Sequence, residues 1–296
     1  MRVFVTGASG WIGSAVVPEL LAAGHTVVGL ARSDDSAMAI TAAGAEVHHG
    51  SLDDVDSLRA GAAASDAVIH LAFKHDFSDY AGAGRTERAA VTAIGDALEN
   101  TGKPFMIAAG VAFLAPGRLA TENDASSHSG PDAPRGGSEQ LVLEYGDRGV
   151  RAVSLRFAPT VHGEGDHGFM STLVAVARDK GIAGYIGDGS NRWPAVHRGD
   201  AARMVRLGLE KAPAGSRLHA VGEEGVPARD IAEAIGRGLG IPTASIAPDD
   251  VDAHFGWIGR FFGADMPTSS ALTQELLDWT PTGPTLMDDL DAGYYF

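Results

Sequence analysis

The chain has 296 residues, 45% of them hydrophobic and 21% charged, the proportions of a folded α/β protein with a sizeable core. A formal net charge of −15, with no basic run to offset it, argues against nucleic acid or an anionic membrane as partner. The absence of cysteine excludes disulfides, thiolate metal sites and cysteine nucleophiles.

Residues 2–5 (RVFV) predict a first strand and 13–24 an amphipathic helix ending at Gly24. Strands follow at 25–32, 45–50, 66–73, 104–110 and 150–157, with helical patterns at 36–43, 53–62, 84–101 and 135–148 between them. This alternation predicts a doubly wound, Rossmann-type parallel sheet covered on both faces. Beyond Phe157 the alternation loosens into glycine-rich loops and helical patterns near 169–180, 199–211 and 227–239. The expected organisation is a dinucleotide-binding domain over 1–160 and a smaller, mostly helical substrate-side lobe over 161–296 that shares its core. No segment approaches the ~20 apolar residues of a membrane span, and two glycines break the apolar run of the first ten residues. A cytoplasmic location is the expectation.

Between the first strand and first helix stands VTGASGWIG, with Gly7, Gly10 and Gly13 in the pattern TGxxGxxG. Gly7 permits a tight turn, Gly10 lets backbone N–H groups approach a pyrophosphate, and Gly13 lets helix and strand pack closely. Gly7, Ser9, Gly10, Trp11, Ile12 and Gly13 are therefore expected cofactor contacts. The second strand ends in GLARSDD. An acidic residue there would bind a ribose 2′-hydroxyl, whereas Arg32 and Ser33, which come first, suit a 2′-phosphate. NADP is favoured over NAD, with NADPH expected to bind more tightly than NADH.

These residues, together with AVIHLAF (67–73), EQLVLEYGDRGVRAVSLRFAPTVHGEGD (139–166) and WPAVHRGDAARMV (193–205), resemble the extended short-chain dehydrogenase/reductase family, the relatives of sugar-nucleotide epimerases and dehydratases. The resemblance implies further cofactor contacts: Ser51 and Leu52 near the adenine, Leu71, Ala72 and Phe73 along the ribose and nicotinamide, and Pro159, Thr160 and Val161 beside the nicotinamide ring.

It also exposes a departure. Members of that family use a Ser or Thr after the fifth strand and a Tyr-x-x-x-Lys pair on the next helix, the tyrosine giving the proton and the lysine lowering its pKa. Here FMIAAGVAFLAPG (105–117) carries no hydroxyl, and counting back from Glu139 puts Arg135 at the lysine and Pro131 at the tyrosine. The chain looks like an atypical member. Arg135 supplies charge and hydrogen bonds but no proton at neutral pH, since guanidinium pKa values exceed ~12. Its bland alternative is an i,i+4 ion pair with Glu139.

A proton donor must then come from elsewhere. His162 is the first candidate, followed by His75, with Asp76 and Tyr80 near it, because an imidazole titrates close to neutrality. His162 and His167 lie five apart in a glycine-rich loop, which is not the spacing of a helical metal pair, so no metal is expected. Trp193, His197, His254, Phe255 and Trp257 line either an apolar substrate pocket or the core of the second lobe.

The expected function is NADP(H)-dependent reduction of a small carbonyl or imine without the Ser-Tyr-Lys residues, hydride transfer being the cofactor's own chemistry. The alternatives are a redox-sensing protein that binds NADP(H) without turnover, and an epimerase or dehydratase. A small-molecule substrate is expected, with no nucleic acid or membrane partner. The helices near 84–101 and 135–148 are surfaces through which related proteins pair, so a homodimer is a candidate assembly.

Overall fold

Runs of β-branched and aliphatic residues, broken by Gly, Asp and Ser at the turns, set the first half of the chain as alternating strands and helices. The computed structural model describes residues 1–74, 79–126, 130, 133 and 135–296. In chain order come β1 (Arg2–Thr6), α1 (Gly13–Ala22), β2 (Thr26–Ala31), α2 (Asp34–Ala42), β3 (Glu46–His49), α3 (Val55–Ala63), β4 (Ala67–His70), α4 (Tyr80–Leu98), β5 (Pro104–Gly110), α5 (Gly136–Glu144) and β6 (Arg151–Phe157). The second half adds β7 (Thr160–His162), α6 (Phe169–Lys180), β8 (Ala183–Ile186), β9 (Arg192–His197), α7 (Arg198–Lys211), β10 (Ser216–Ala220), β11 (Glu223–Pro227), α8 (Ala228–Leu239) and β12 (Thr243–Ile246). The last helices are α9 (Val251–Phe255), α10 (Gly259–Phe262), α11 (Ala271–Leu277) and α12 (Leu286–Asp291).

The main sheet has seven parallel strands in the order β10-β6-β5-β4-β1-β2-β3. Successive side chains alternate between two buried faces. Val3, Val5, Ile69 and Met106 pack with residues of α1 and α7, while Phe4, Val68, Phe105 and Ile107 pack with residues of α3, α4 and α5. Burial on both sides is why these strands read as continuous apolar runs.

β10 is a strand that hydrophobic patterning missed. Its sequence SRLHA flanks Leu218 with Arg217 and His219, and its position at the sheet edge lowers the demand for apolar residues. The nucleotide-side lobe therefore draws on residues beyond 160, because β10 completes its sheet and α7 packs on α1. The helices of the second lobe are joined by two small sheets, β11-β9-β7 and β12-β8. Trp193, Phe255, Phe262, Met170 and Ile231 form its core.

Candidate functional site

From β1 the chain runs outward through β2 and β3, then returns to place β4 on the other side of β1. The reversal opens a crevice at the carboxyl ends of β1 and β4, where ligands of open α/β sheets bind. Thr6 closes β1 there. Its Oγ1 lies 2.7 Å from His70 Nδ1 and accepts a hydrogen bond from the Ala72 N–H at 3.3 Å.

The glycine turn sits over this crevice. Gly7 has φ +72°, and a Cβ there would lie 2.7 Å from the Ala72 backbone nitrogen. At Gly13 a Cβ would come within 2.0 Å of the Gly7 carbonyl oxygen, so helix and turn touch backbone to backbone. Gly10 differs: a Cβ would meet only the Gly7 oxygen, at 3.2 Å, and otherwise project into open space. No side chain caps α1 at Ile12. An uncapped helix start beside a glycine with open space over it is the cradle that a pyrophosphate requires. Trp11 anchors the turn from outside, its indole N–H donating to the Val161 carbonyl at 2.7 Å while the Arg198 guanidinium stacks 4.1 Å over its ring. Ser9 is exposed on the turn.

At the end of β2, Arg32 is exposed and has no hydrogen-bond or ion-pair partner among the described residues. Ser33 is the N-cap of α2, its hydroxyl accepting from the Ser36 N–H at 3.3 Å. Ser51 and Leu52 follow β3, and the Ser51 hydroxyl accepts from the Asp53 N–H at 3.2 Å. Lys74, which sequence reading passed over, reaches Asp53 at 2.6 Å and ties this loop to the Leu71–Phe73 segment after β4. Pro159 and Val161 lie beyond β6, with Val161 against Trp11. These residues all follow the carboxyl ends of parallel strands of the main sheet.

Arg135 arrives there from the opposite side. It precedes α5 with φ +61°, a backbone conformation unusual for a side-chain-bearing residue. Its Nη1 donates to the Ala108 carbonyl of β5 and to Glu87 Oε1, both at 3.3 Å, and its backbone N–H donates to Glu87 Oε2 at 3.3 Å. The guanidinium lies 3.9 Å over the Phe73 ring. Glu87, on α4, is 1% exposed, and burial raises its pKa against the lowering pull of Arg135 and Ser138. Burial, helped by the Arg135 charge, pushes His70 down to about 3, so its imidazole is neutral.

The ion pair with Glu139 that stood as the alternative role for Arg135 does not form, since Glu139 is taken by Arg156. Arg156 Nε donates to Glu139 Oε1 at 2.6 Å, and Ser154 Oγ donates to the same oxygen at 2.5 Å. Arg156 continues to the Asp124 carbonyl and to His219, 3.4 Å away. This buried chain of polar groups joins α5, β6 and β10.

His162 departs from its expected role as a donor facing the cleft. It is 0% exposed, its Nδ1 lies 2.6 Å from Asp289 Oδ2 on α12, and its ring packs edge-on to His197. It joins β7 to the C-terminal helix. His75, Asp76 and Pro131 lie outside the described residues. Of the supposed pocket residues, Trp193 and Phe255 are core, His197 caps α7, and Trp257 stands at the surface, 46% exposed.

The chain matches the NAD dependent epimerase/dehydratase family over residues 3–221. It belongs to that family, whose NAD(P)-dependent members share the extended short-chain dehydrogenase/reductase fold. It is 48% identical to an uncharacterized protein of Schizosaccharomyces pombe across the whole of both chains. It is 29% identical over 226 residues to a 4-hydroxy-2-methyl-3-oxo-4-farnesyl-3,4-dihydroquinoline-1-oxide ketoreductase of Stigmatella aurantiaca, covering 73% of this chain and 66% of that one. The fold superposes on UDP-glucose 4-epimerase of Thermotoga maritima with a TM-score of 0.76 at 17% identity, over 100% of this chain and 98% of that one. No helix among the described residues is long and apolar enough to cross a membrane.

Proposed function

We propose that the protein is an NADPH-preferring oxidoreductase that reduces a small carbonyl or imine without a catalytic tyrosine. The observation that carries this reading is the placement of Arg135. It sits beside β5, held by Glu87 and Ala108 and stacked on Phe73, and its spacing from Glu139 supports reading it as the counterpart of the family's lysine. The similarity to a ketoreductase supports reduction of a C=O group. Exposed Arg32 at the end of β2 supports a 2′-phosphate.

When bound, the nicotinamide supplies the hydride. The chain's residues bind and orient. The glycine turn holds the diphosphate, Arg32 selects the phosphorylated ribose, and Arg135 offers charged donors to the second ribose while Glu87 fixes its direction. Among the described residues His70 is neutral and deeply buried and His162 is enclosed, which favours water entering the cleft as the proton source. An imine that is already protonated needs no donor at all.

The absence of an exposed acid–base side chain bonded to Arg135 among the described residues also suits a protein that senses NADP(H) without turnover. Mixing purified protein with NADPH and a panel of ketones, aldehydes and cyclic imines separates the readings. Substrate-dependent loss of NADPH absorbance supports the reductase. Tight NADPH binding with no loss across the panel favours the sensor.

A further inference from the structure

We infer that the substrate is an apolar, ring-bearing carbonyl or imine, held against a wall of four aromatic side chains, and that Trp257 sets this specificity. The inference rests on the reductase reading and names its substrate class. The four rings are Phe113, Phe169, Phe261 and Trp257. Phe113 and Phe261 have centroids 5.7 Å apart, Phe169 and Phe261 5.5 Å, Phe169 and Trp257 5.6 Å, and Trp257 and Phe261 6.3 Å. These are tilted and edge-to-face contacts of the kind that aromatic clusters favour.

Two features separate this group from ordinary core. Behind it, Trp193, Phe255 and Phe262 are buried, whereas Phe113, Phe169 and Phe261 are half-buried and Trp257 is 46% exposed. The wall is also tied to the cleft at two points. Phe113 comes three residues after β5 ends, on the strand whose Ala108 carbonyl holds Arg135. Phe169 follows His167 by two residues, and the His167 ring packs 5.6 Å from Trp11 of the glycine turn.

The chemistry of the wall selects against sugars. Residues 105–117, which lead out of β5, hold no hydroxyl, amide or charged side chain. A polyhydroxylated substrate laid there would lose hydrogen bonds to water and gain none, whereas an aromatic or alicyclic one loses nothing. Phe113 has φ +60°, an unfavourable backbone conformation for a residue with a side chain, and so the ring is held in place against local preference.

The test is calorimetric binding of 2-acetylnaphthalene and of UDP-glucose to the NADPH-loaded protein. The ketone should bind with a negative heat-capacity change, and UDP-glucose should bind more weakly or not at all. Trp257→Ala should weaken ketone binding about tenfold, the loss of one good aromatic contact plus its area. Trp257→Leu, which removes the aromatic ring and keeps an apolar side chain, covers the case in which Ala loosens the turn before α10. UDP-glucose binding more tightly than the ketone overturns the inference. So does ketone affinity within twofold of the unmutated protein in folded Trp257 variants. Binding requires no turnover, so a ketone that binds and is never reduced defeats the reductase reading alone. A small hydrophilic carbonyl that is reduced while the ketone fails to bind defeats this inference alone.

Discussion

Glu87 grips Arg135 twice, its two carboxylate oxygens each 3.3 Å from a nitrogen, one on the backbone and one on the guanidinium. A single buried carboxylate thereby fixes both where α5 begins and where the guanidinium of the residue before it points. Glu87→Gln should keep the shape and lose the charge, so Arg135 should wander and NADPH affinity should fall several-fold with little loss of stability. Arg135→Ala should be worse. It abandons a buried carboxylate, costing about 3 kcal/mol or less given that Arg135 is partly solvated, and it removes the ribose contact. Arg135→Lys should retain much of the binding. Thermal melts with NADPH titrations on the three variants check the order, and full affinity in Arg135→Ala would remove Arg135 from the site.

Cofactor choice should rest on Arg32. With no competing partner among the described residues, its guanidinium is available to a 2′-phosphate. Arg32→Ala should weaken NADPH by about tenfold to a hundredfold, the worth of a charge-assisted pair, and leave NADH nearly unchanged. Calorimetry that finds equal affinities for the two cofactors in the unmutated protein would defeat this.

The glycines of the turn should fail in different ways. Gly10→Val places its side chain in open space above the turn, so dinucleotide binding should be lost while the melting temperature barely moves. Gly13→Ala drives a methyl to 2.0 Å from the Gly7 carbonyl, so helix and turn must part and stability should drop as well. A Gly10→Val protein that still binds NADPH within a few-fold would show that no phosphate lies on this turn.

His70 should make stability depend on pH. Its folded-state pKa of about 3 lies below the ordinary value of 6.5, so the unfolded chain binds the extra proton first as pH falls. The contribution is therefore complete above roughly pH 6.5 and is lost as pH falls toward 3, at about 1.4 kcal/mol per pH unit. Burial raises Glu87, which gives the opposite slope above its ordinary value, but that term is common to wild type and variant. Denaturant melts should show His70→Asn with a shallower loss of stability between about pH 6 and 4. Equal slopes would mean that the imidazole is already charged in the fold.

The sheet was legible in the sequence because β-branched runs and the glycine turn are local signals. All six strands read before residue 158 are present within a few residues of their expected ends. Pairing at a distance was not legible. Glu87 stands 48 positions before Arg135 and reads as one more charge on a helix; only folding buries it under the guanidinium. Glu139 sits at helical spacing from Arg135, yet Arg156 claims it from the neighbouring strand. His162 follows a cofactor-side segment closely enough to suggest chemistry, but its partner is Asp289, 127 residues later. The short strands β7 to β12 were hidden among glycines and polar residues. Each is three to six residues long and lies outside the regular strand–helix alternation that made the equally short β3 and β4 readable.

The late arrival of β10 at the sheet also governs how the chain is made. During synthesis the first six strands emerge before their edge partner, leaving the hydrogen-bonding groups of β6 on the side away from β5 unpaired until residues 216–220 leave the ribosome. A nascent or truncated chain ending near residue 160 therefore presents an open strand, RAVSLRF, to any other unfolded chain nearby. The two halves cannot be separated as fragments by one cut between β6 and β7. A viable dissection would have to carry α7 and β10 with the first half, or graft them onto it by circular permutation.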